Sequence, residues 1–202
     1  FGPDVAPVPI AYPTGQANDQ KNAEILAKYL GHLSGATFTV TASETLPAAP
    51  VIAVGNFVPA DGEGLTGEDF RLRVREGRLL LTGASSRARA YAVYHLLEAY
   101  LGCRWWSHSE ESVPRQERLA VPALDLLRHP PFTLHSMMNI EFSSKANDFN
   151  TRILGSGTEN FTGSHNLQPM LEGYSKTHPE ILPQNAEGVR KFNNLHYCYL
   201  AP

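Results

Sequence analysis

Phe70-Arg71-Leu72-Arg73-Val74-Arg75-Glu76-Gly77-Arg78-Leu79-Leu80-Leu81-Thr82-Gly83 alternates apolar and basic side chains with a period of two as far as Glu76-Gly77, then returns as a second apolar run. That period puts Phe70, Leu72 and Val74 on one face of a strand and Arg71, Arg73 and Arg75 on the other. Glu76-Gly77 supplies turn chemistry, so the stretch predicts a β-hairpin with one apolar and one basic face. After Gly83, Ser85 or Ser86 can cap a helix whose stripe is Ala90, Val93, Leu97 and Leu101, and Gly102 stops it. Upstream, Val51-Ile52-Ala53-Val54-Gly55 is a continuous apolar run, the signature of a strand buried on both faces. Before it, Leu26, Tyr29, Leu30 and Leu33 recur at helical spacing, with Asn18 or Asp19 to start the helix and Gly35 to end it. Thr37-Phe38-Thr39-Val40 reads as a strand. Val8-Pro9-Ile10-Ala11-Tyr12 reads as an edge strand because of its prolines. Helices alternating with strands, plus a hairpin, predict an α/β (α+β) fold: a mixed β-sheet layered with helices.

The chain has 202 residues, 42% hydrophobic and 18% charged, enough to bury a core without metal or disulfide staples. Net charge is −3, which gives no global sign of a nucleic-acid partner, and no apolar run is long enough for a spanning helix. Charge is unevenly spread: residues 1–70 hold eight acids and two bases, whereas 71–131 hold ten arginines and six acids. Cys103 and Cys198 lie far apart with no metal-binding spacing, and read as free buried thiols. Periodicity fades at His129-Pro130-Pro131, which places a domain boundary there: 1–130 an α/β domain, 131–202 a region of different pattern rich in Asn, Ser, Gly and His. Phe132–Met138 is a candidate strand. The chain begins at Phe1 and stops without a closing element at Pro202, and is expected to be a processed or truncated piece.

Glu68-Asp69-Phe70, Gly77 to Gly83, Tyr91-Ala92-Val93-Tyr94, Leu97-Glu98 and Leu101-Gly102-Cys103-Arg104-Trp105-Trp106 together resemble a known domain. It is the N-terminal α/β domain that precedes the catalytic barrel of bacterial α-glucuronidases and β-N-acetylhexosaminidases. A bacterial family joining that domain to a glycosidase-like barrel is similar as well. Glu110-Glu111-Ser112-Val113-Pro114 and Val121-Pro122-Ala123-Leu124-Asp125 continue the likeness into a linker, and His178-Pro179-Glu180 resembles the early barrel region. Cys198 to Pro202 matches loosely. The likeness spans residues 8–130 well and 131–202 thinly. Departures are His108 where proline is usual, Ala84-Ser85-Ser86-Arg87-Ala88 in place of a glycine-rich lead, and only a loose match at Asn185 to Arg190.

The resemblance implies that residues 131–202 are the incomplete start of a (β/α)₈-type barrel, since 72 residues are far short of the ~250 such a barrel needs. It implies an accessory domain and the start of the barrel of a glycoside hydrolase, secreted or periplasmic. The substrate would be a polysaccharide or oligosaccharide, including uronic-acid-containing glycans. The remaining barrel of the same polypeptide would be its partner, and the chain alone would be inactive. The alternative is a non-catalytic carbohydrate-binding or protein-docking module.

Glycoside hydrolysis needs two opposed carboxyl groups. Glu141, Asp148, Glu159 and Glu180 are candidates, but no spacing rule pairs them, and the pair is expected beyond Pro202; Glu110 and Glu111 read as exposed linker acids. Substrate-binding candidates are His165 and Asn166 after Thr162-Gly163-Ser164, His178 and Glu180 around Pro179, and Asn139, all polar groups able to hold sugar hydroxyls. There is no HExxH or HxH, so no metal is expected. Without a P-loop or GxSxG elbow, neither a nucleotide cofactor nor serine-hydrolase chemistry is expected. Arg71, Arg73, Arg75 and Arg78 read either as a solvated sheet face or as a strip for anionic glycans, whose carboxylates and sulfates match guanidinium forks. Trp105 and Trp106 face opposite sides, one toward the core, the other toward a domain seam or a sugar.

Overall fold

A computed structural model describes residues 7–131, 149, 151–153, 173–182, 184 and 187–190. The chain divides into two units, Phe1–Thr158 and Glu159–Pro202. The first is built on a six-stranded mixed sheet in the order β2-β1-β3-β5-β4-β8. Its strands are β1 (Ile10–Pro13), β2 (Val40–Ser43), β3 (Val51–Val54), β4 (Phe70–Arg75), β5 (Arg78–Gly83) and β8 (Asp125–Arg128). β2, β1, β3 and β5 run parallel, while β4 is antiparallel to both of its neighbours. Two short strands, β6 (Arg104–Trp105) and β7 (Glu111–Ser112), form a separate ladder. The mixed α/β class is therefore as the sequence predicts.

The β4–β5 hairpin closes through Glu76 at φ 51° and Gly77 at φ 74°, the left-handed pair that a two-residue turn requires. All four residues of β3 are buried, as their unbroken apolar run predicts. The first strand is placed differently from expectation. β1 pairs with β2 on one side and β3 on the other, so it is a central strand. Its prolines stand at positions that cost no ladder bond: Ile10 N–H donates to Thr39 O and Pro9 O accepts from Ile52 N–H. β2 begins three residues later than the Thr37 start expected for it.

Helix α1 spans Ala17–Ser34 and α2 spans Ser86–His95; both lie on one face of the sheet and pack on each other. Gly35 ends α1 in the left-handed conformation, its N–H bonding Gly31 O. The start of α1 differs from expectation: Gln16 occupies the N-cap without a side-chain cap, and Asn18 and Asp19 lie within the first turn. Ser85 caps α2, its hydroxyl accepting from Ala88 N–H at 3.0 Å. A single π-helical turn, Leu96–Tyr100, extends α2 and carries its stripe to Leu101. Registered rows of the sheet, Ile10–Ile52–Leu79–Val74 and Val54–Leu81–Leu72, face these helices. They close one core with Leu26, Leu30, Leu33, Tyr91, Val93 and Leu97. Each such side chain contributes ~1.5–3 kcal/mol on burial. Phe149 and Ile153 join that core from beyond the sheet.

β8 occupies a stretch the sequence presents as linker. Its Asp125, Leu126, Leu127 and Arg128 pair antiparallel with Arg73, Leu72, Arg71 and Phe70 and close the edge beside β4. The candidate strand Phe132–Met138 lies outside the described residues.

Candidate functional site

Of the sequence-selected binding residues, His178 and Glu180 are described; His165, Asn166 and Asn139 lie outside the described residues, as do Glu141, Asp148 and Glu159. In the second unit, Pro179–Ile181 forms a 3₁₀ turn that brings His178 and Glu180 together, with Nδ1 3.0 Å from Oε1. The Tyr174 ring stacks on His178 with centroids 4.2 Å apart and planes 21° from parallel. A hydrogen bond from its own backbone, followed by the bond to His178, holds the Glu180 carboxyl below its ordinary pKa. Arg190 pins the turn by donating to Glu180 O at 3.0 Å and Leu182 O at 2.6 Å. Tyr174 and Glu180 are exposed and His178 is half-buried. The arrangement offers an open aromatic surface beside an acceptor, which suits hydroxyl-rich ligands more than acid–base chemistry sheltered from water.

In the first unit, the crevice at the carboxyl ends of the parallel strands, where open α/β sheets commonly hold ligands, is occupied by the protein's own side chains. Asp19 is buried and its Oδ1 accepts from Arg89 Nε at 2.6 Å. Burial raises the Asp19 pKa, with the Arg89 bond and charge pulling the other way. Asn56 grips the end of β5, donating to Gly83 O at 2.9 Å and accepting from Gly83 N–H at 3.2 Å. Gly62-Glu63-Gly64-Leu65-Thr66-Gly67 has the GxGxxG spacing. It follows a 3₁₀ turn and leads into β4, so it lacks the helix N-terminus that would hold a pyrophosphate. A cavity of about 200 Å³ lies between the helices, lined by Asn18, Lys21, Asn22, Arg87, Tyr94 and Thr151 among others.

A second cluster has no local sequence signal. Trp105 is buried, donates its indole N–H to Tyr29 Oη at 3.1 Å, and meets Tyr29 and Tyr94 edge-on at 5.8 and 5.3 Å. Tyr29 in turn donates to Glu111 Oε2 at 2.5 Å, and Arg152 Nη1 reaches the same oxygen at 3.3 Å. Burial, then the bond to Glu111, raises the Tyr29 pKa. Glu111 is exposed, as its sequence suggests, but it is also a structural acceptor that ties Tyr29 and Arg152 together. Cys103, buried beside this cluster, has its thiol pKa pushed up to about 11, chiefly by burial. Trp106 is 68% exposed, so the two tryptophans separate as expected.

The arginine strip lies on the sheet face away from the helices, since Arg71 registers with Thr82 and Leu127, and Arg73 with Leu80 and Asp125. Arg73 Nη2 contacts Asp125 Oδ2 at 2.8 Å, and Arg71 Nε approaches Oδ1 at 3.7 Å. The hydrogen bond from Arg73 is the main cause holding Asp125 below its ordinary pKa. Glu76 accepts from Arg75 and Arg78 at the turn. Among the described residues no group of three or more His, Cys, Asp or Glu side chains could hold a metal, and no helix is long and apolar enough to cross a membrane.

This architecture is similar to part of a solved glycoside hydrolase. That protein is a family GH115 4-O-methyl-α-glucuronidase with specificity for decorated arabinogalactans; identity is 17%, the TM-score 0.54, and the match covers 74% of this chain and 24% of that one. The likeness shows a shared α/β fold, and the matched region is about a quarter of that enzyme's length. No family model and no curated protein matches the sequence.

Proposed function

We propose that residues 1–130 are an accessory α/β domain of a bacterial glycoside hydrolase, secreted or periplasmic, and that 131–202 lead into its catalytic barrel. The substrate class is polysaccharide or oligosaccharide, with uronic-acid-containing glycans foremost. The observation that carries this reading is the fold match, which takes in 74% of this chain but 24% of the glucuronidase. A match of that shape suits a domain that accompanies a larger catalytic body. The chemistry of the first unit agrees with it: the carboxylates Asp19 and Glu111 are tied to Arg89 and Tyr29. Among the described residues neither is paired with a second carboxylate, as leaving-group protonation and water activation would need.

Aryl glycosides and aryl glucuronides, offered to the product of the complete reading frame and to this chain alone, test the proposal. Turnover is expected from the former and none from the latter. A positioned acid or base is worth roughly 10²–10⁴ in rate, so even trace hydrolysis is informative. Saturable hydrolysis by this chain, abolished by Glu180→Gln, would place the chemistry inside it and overturn the accessory reading. The second reading, a non-catalytic carbohydrate-binding module, is favoured by the Tyr174–His178 stack. It would gain the ground if the complete product binds glycans yet hydrolyses none.

A further inference from the structure

We propose that the sheet face opposite the helices is a binding surface for carboxylate- or sulfate-bearing oligosaccharides, with Arg71 and Arg73 as its recognition forks. This rests on the glycoside hydrolase-related reading for the class of partner, and on the following geometry for the site. Residues two apart on one strand face stand roughly 6–7 Å apart, a spacing comparable with the repeat of monosaccharide units in an extended chain. The β4 register therefore lays Arg71, Arg73 and Arg75 out as a ladder, with Arg78 across from Arg75 on β5. Leu80 and Leu127 register beside Arg73 and Arg71 on the same face, giving an apolar floor between charged heads. A pyranose ring, apolar on its C–H face and polar at its rim, fits such a floor.

The face is short of acceptors. Among the described residues, the four guanidinium groups share two acidic side chains, Asp125 and Glu76. Each guanidinium carries five N–H donors. Arg71 approaches Asp125 only at 3.7 Å, too far for a hydrogen bond. The Nε atoms of Arg71 and Arg73 are both shielded and, among the described residues, have no hydrogen-bond partner. An unmade bond at a shielded charged donor is costly, and carboxylates and sulfates are the acceptors whose bidentate geometry guanidinium forks favour. Yet the side chains are not closed off, being 26% and 30% exposed. Nucleic acid fits less well, because the registered rows of this face present no aromatic ring for base stacking.

Calorimetric titration of the 202-residue chain with oligogalacturonate and with a sulfated oligosaccharide tests the inference, with a neutral oligosaccharide and a poly-glutamate peptide as comparators at one ionic strength. The acidic saccharides are expected to bind and the comparators to bind at least about tenfold more weakly. Arg71→Gln with Arg73→Gln should weaken binding by about tenfold or more, the loss of one or two charge-assisted bonds. Arg71→Lys with Arg73→Lys, which keeps charge but removes the forks, should weaken it as well. Asp125→Asn, at an exposed acid, should tighten binding by releasing Arg73, and it carries the test if the double variants fail to fold. Absence of binding, equal binding of poly-glutamate, or indifference to Asp125→Asn would each overturn the inference. Hydrolysis by the complete product is read separately: turnover without binding here removes this inference alone, and binding here without turnover removes the hydrolase reading alone.

Discussion

Asp19 shows how a single residue can be decided by distance rather than by sequence neighbourhood. On α1 it reads as a helix-starting acid, and the helix dipole does favour it there. Its burial, however, is set by Arg89, seventy positions away, which it meets at 2.6 Å. A buried carboxylate and guanidinium hold each other in place, and removing one strands the other. Among the described residues, Arg89 would then keep a 3.4 Å bond to Gly83 O. Asp19→Ala is therefore expected to destabilise the first unit by about 3–5 kcal/mol. Adding Arg89→Met should recover most of that loss, because an apolar pair of similar volume often replaces a buried ion pair without cost. Urea titrations of the single and double variants measure this. A double variant no better than the single would mean that Asp19 acts through something other than Arg89. The Tyr29–Glu111 bond, across 82 positions, has the same character. Neither pairing was legible in the sequence, because nothing in helical or strand periodicity specifies which distant side chain a polar residue will meet.

At the scale of elements, the hairpin was the most legible piece, since its period and its turn are both local. The stripe of α2 was legible for the same reason: Ala90, Val93, Leu97 and Leu101 are all buried. The order of strands was not. Parallel pairing joins segments through crossovers, so β1 could be read as an edge from its prolines while its hydrogen bonds place it between β2 and β3. β8 was hidden because Asp-Leu-Leu-Arg does not alternate cleanly and its partner strand ends fifty residues earlier. One glycine joins these elements tightly. A Cβ built on Gly83 would lie 2.8 Å from Ala88 C and Arg89 N, the backbone of α2 itself. The helix sits against the end of β5 only because that side chain is missing. Gly83→Ala should cost about 1–3 kcal/mol or more by forcing backbone apart, whereas Gly173→Ala, with nothing within 4 Å, should stay within ~0.5 kcal/mol. Thermal unfolding of the two variants checks the contrast, and a neutral Gly83→Ala would show that α2 can slide.

Across the whole molecule, the change of sequence pattern at residue 130 and the extent of the packed first unit ask different questions. The pattern changes where strand and helix periodicities stop, just after β8 completes the sheet. Packing continues further. Phe149 is 5% exposed within the same core as Leu26 and Leu97, and Arg152 completes the bond set on Glu111. The sequence gives little notice of this return, since Phe149 and Ile153, four residues apart, make only one turn of apolar periodicity in a polar stretch. The consequence is a graded one for chain length. A chain ending at residue 131 keeps all six strands and both helices, and should fold. It loses the Phe149 side chain from the core, worth ~1.5–3 kcal/mol on burial, and leaves Glu111 with Tyr29 as its hydrogen-bond partner. A chain ending at residue 158 keeps both interactions. Urea midpoints for the two lengths should therefore differ in favour of the longer by about 2–3 kcal/mol at equal slope. Phe149→Ala in the longer chain should bring it most of the way down to the shorter. Equal midpoints for the two lengths would show that the sheet and its helices are complete in themselves and that the Phe149 segment rests on them without holding them.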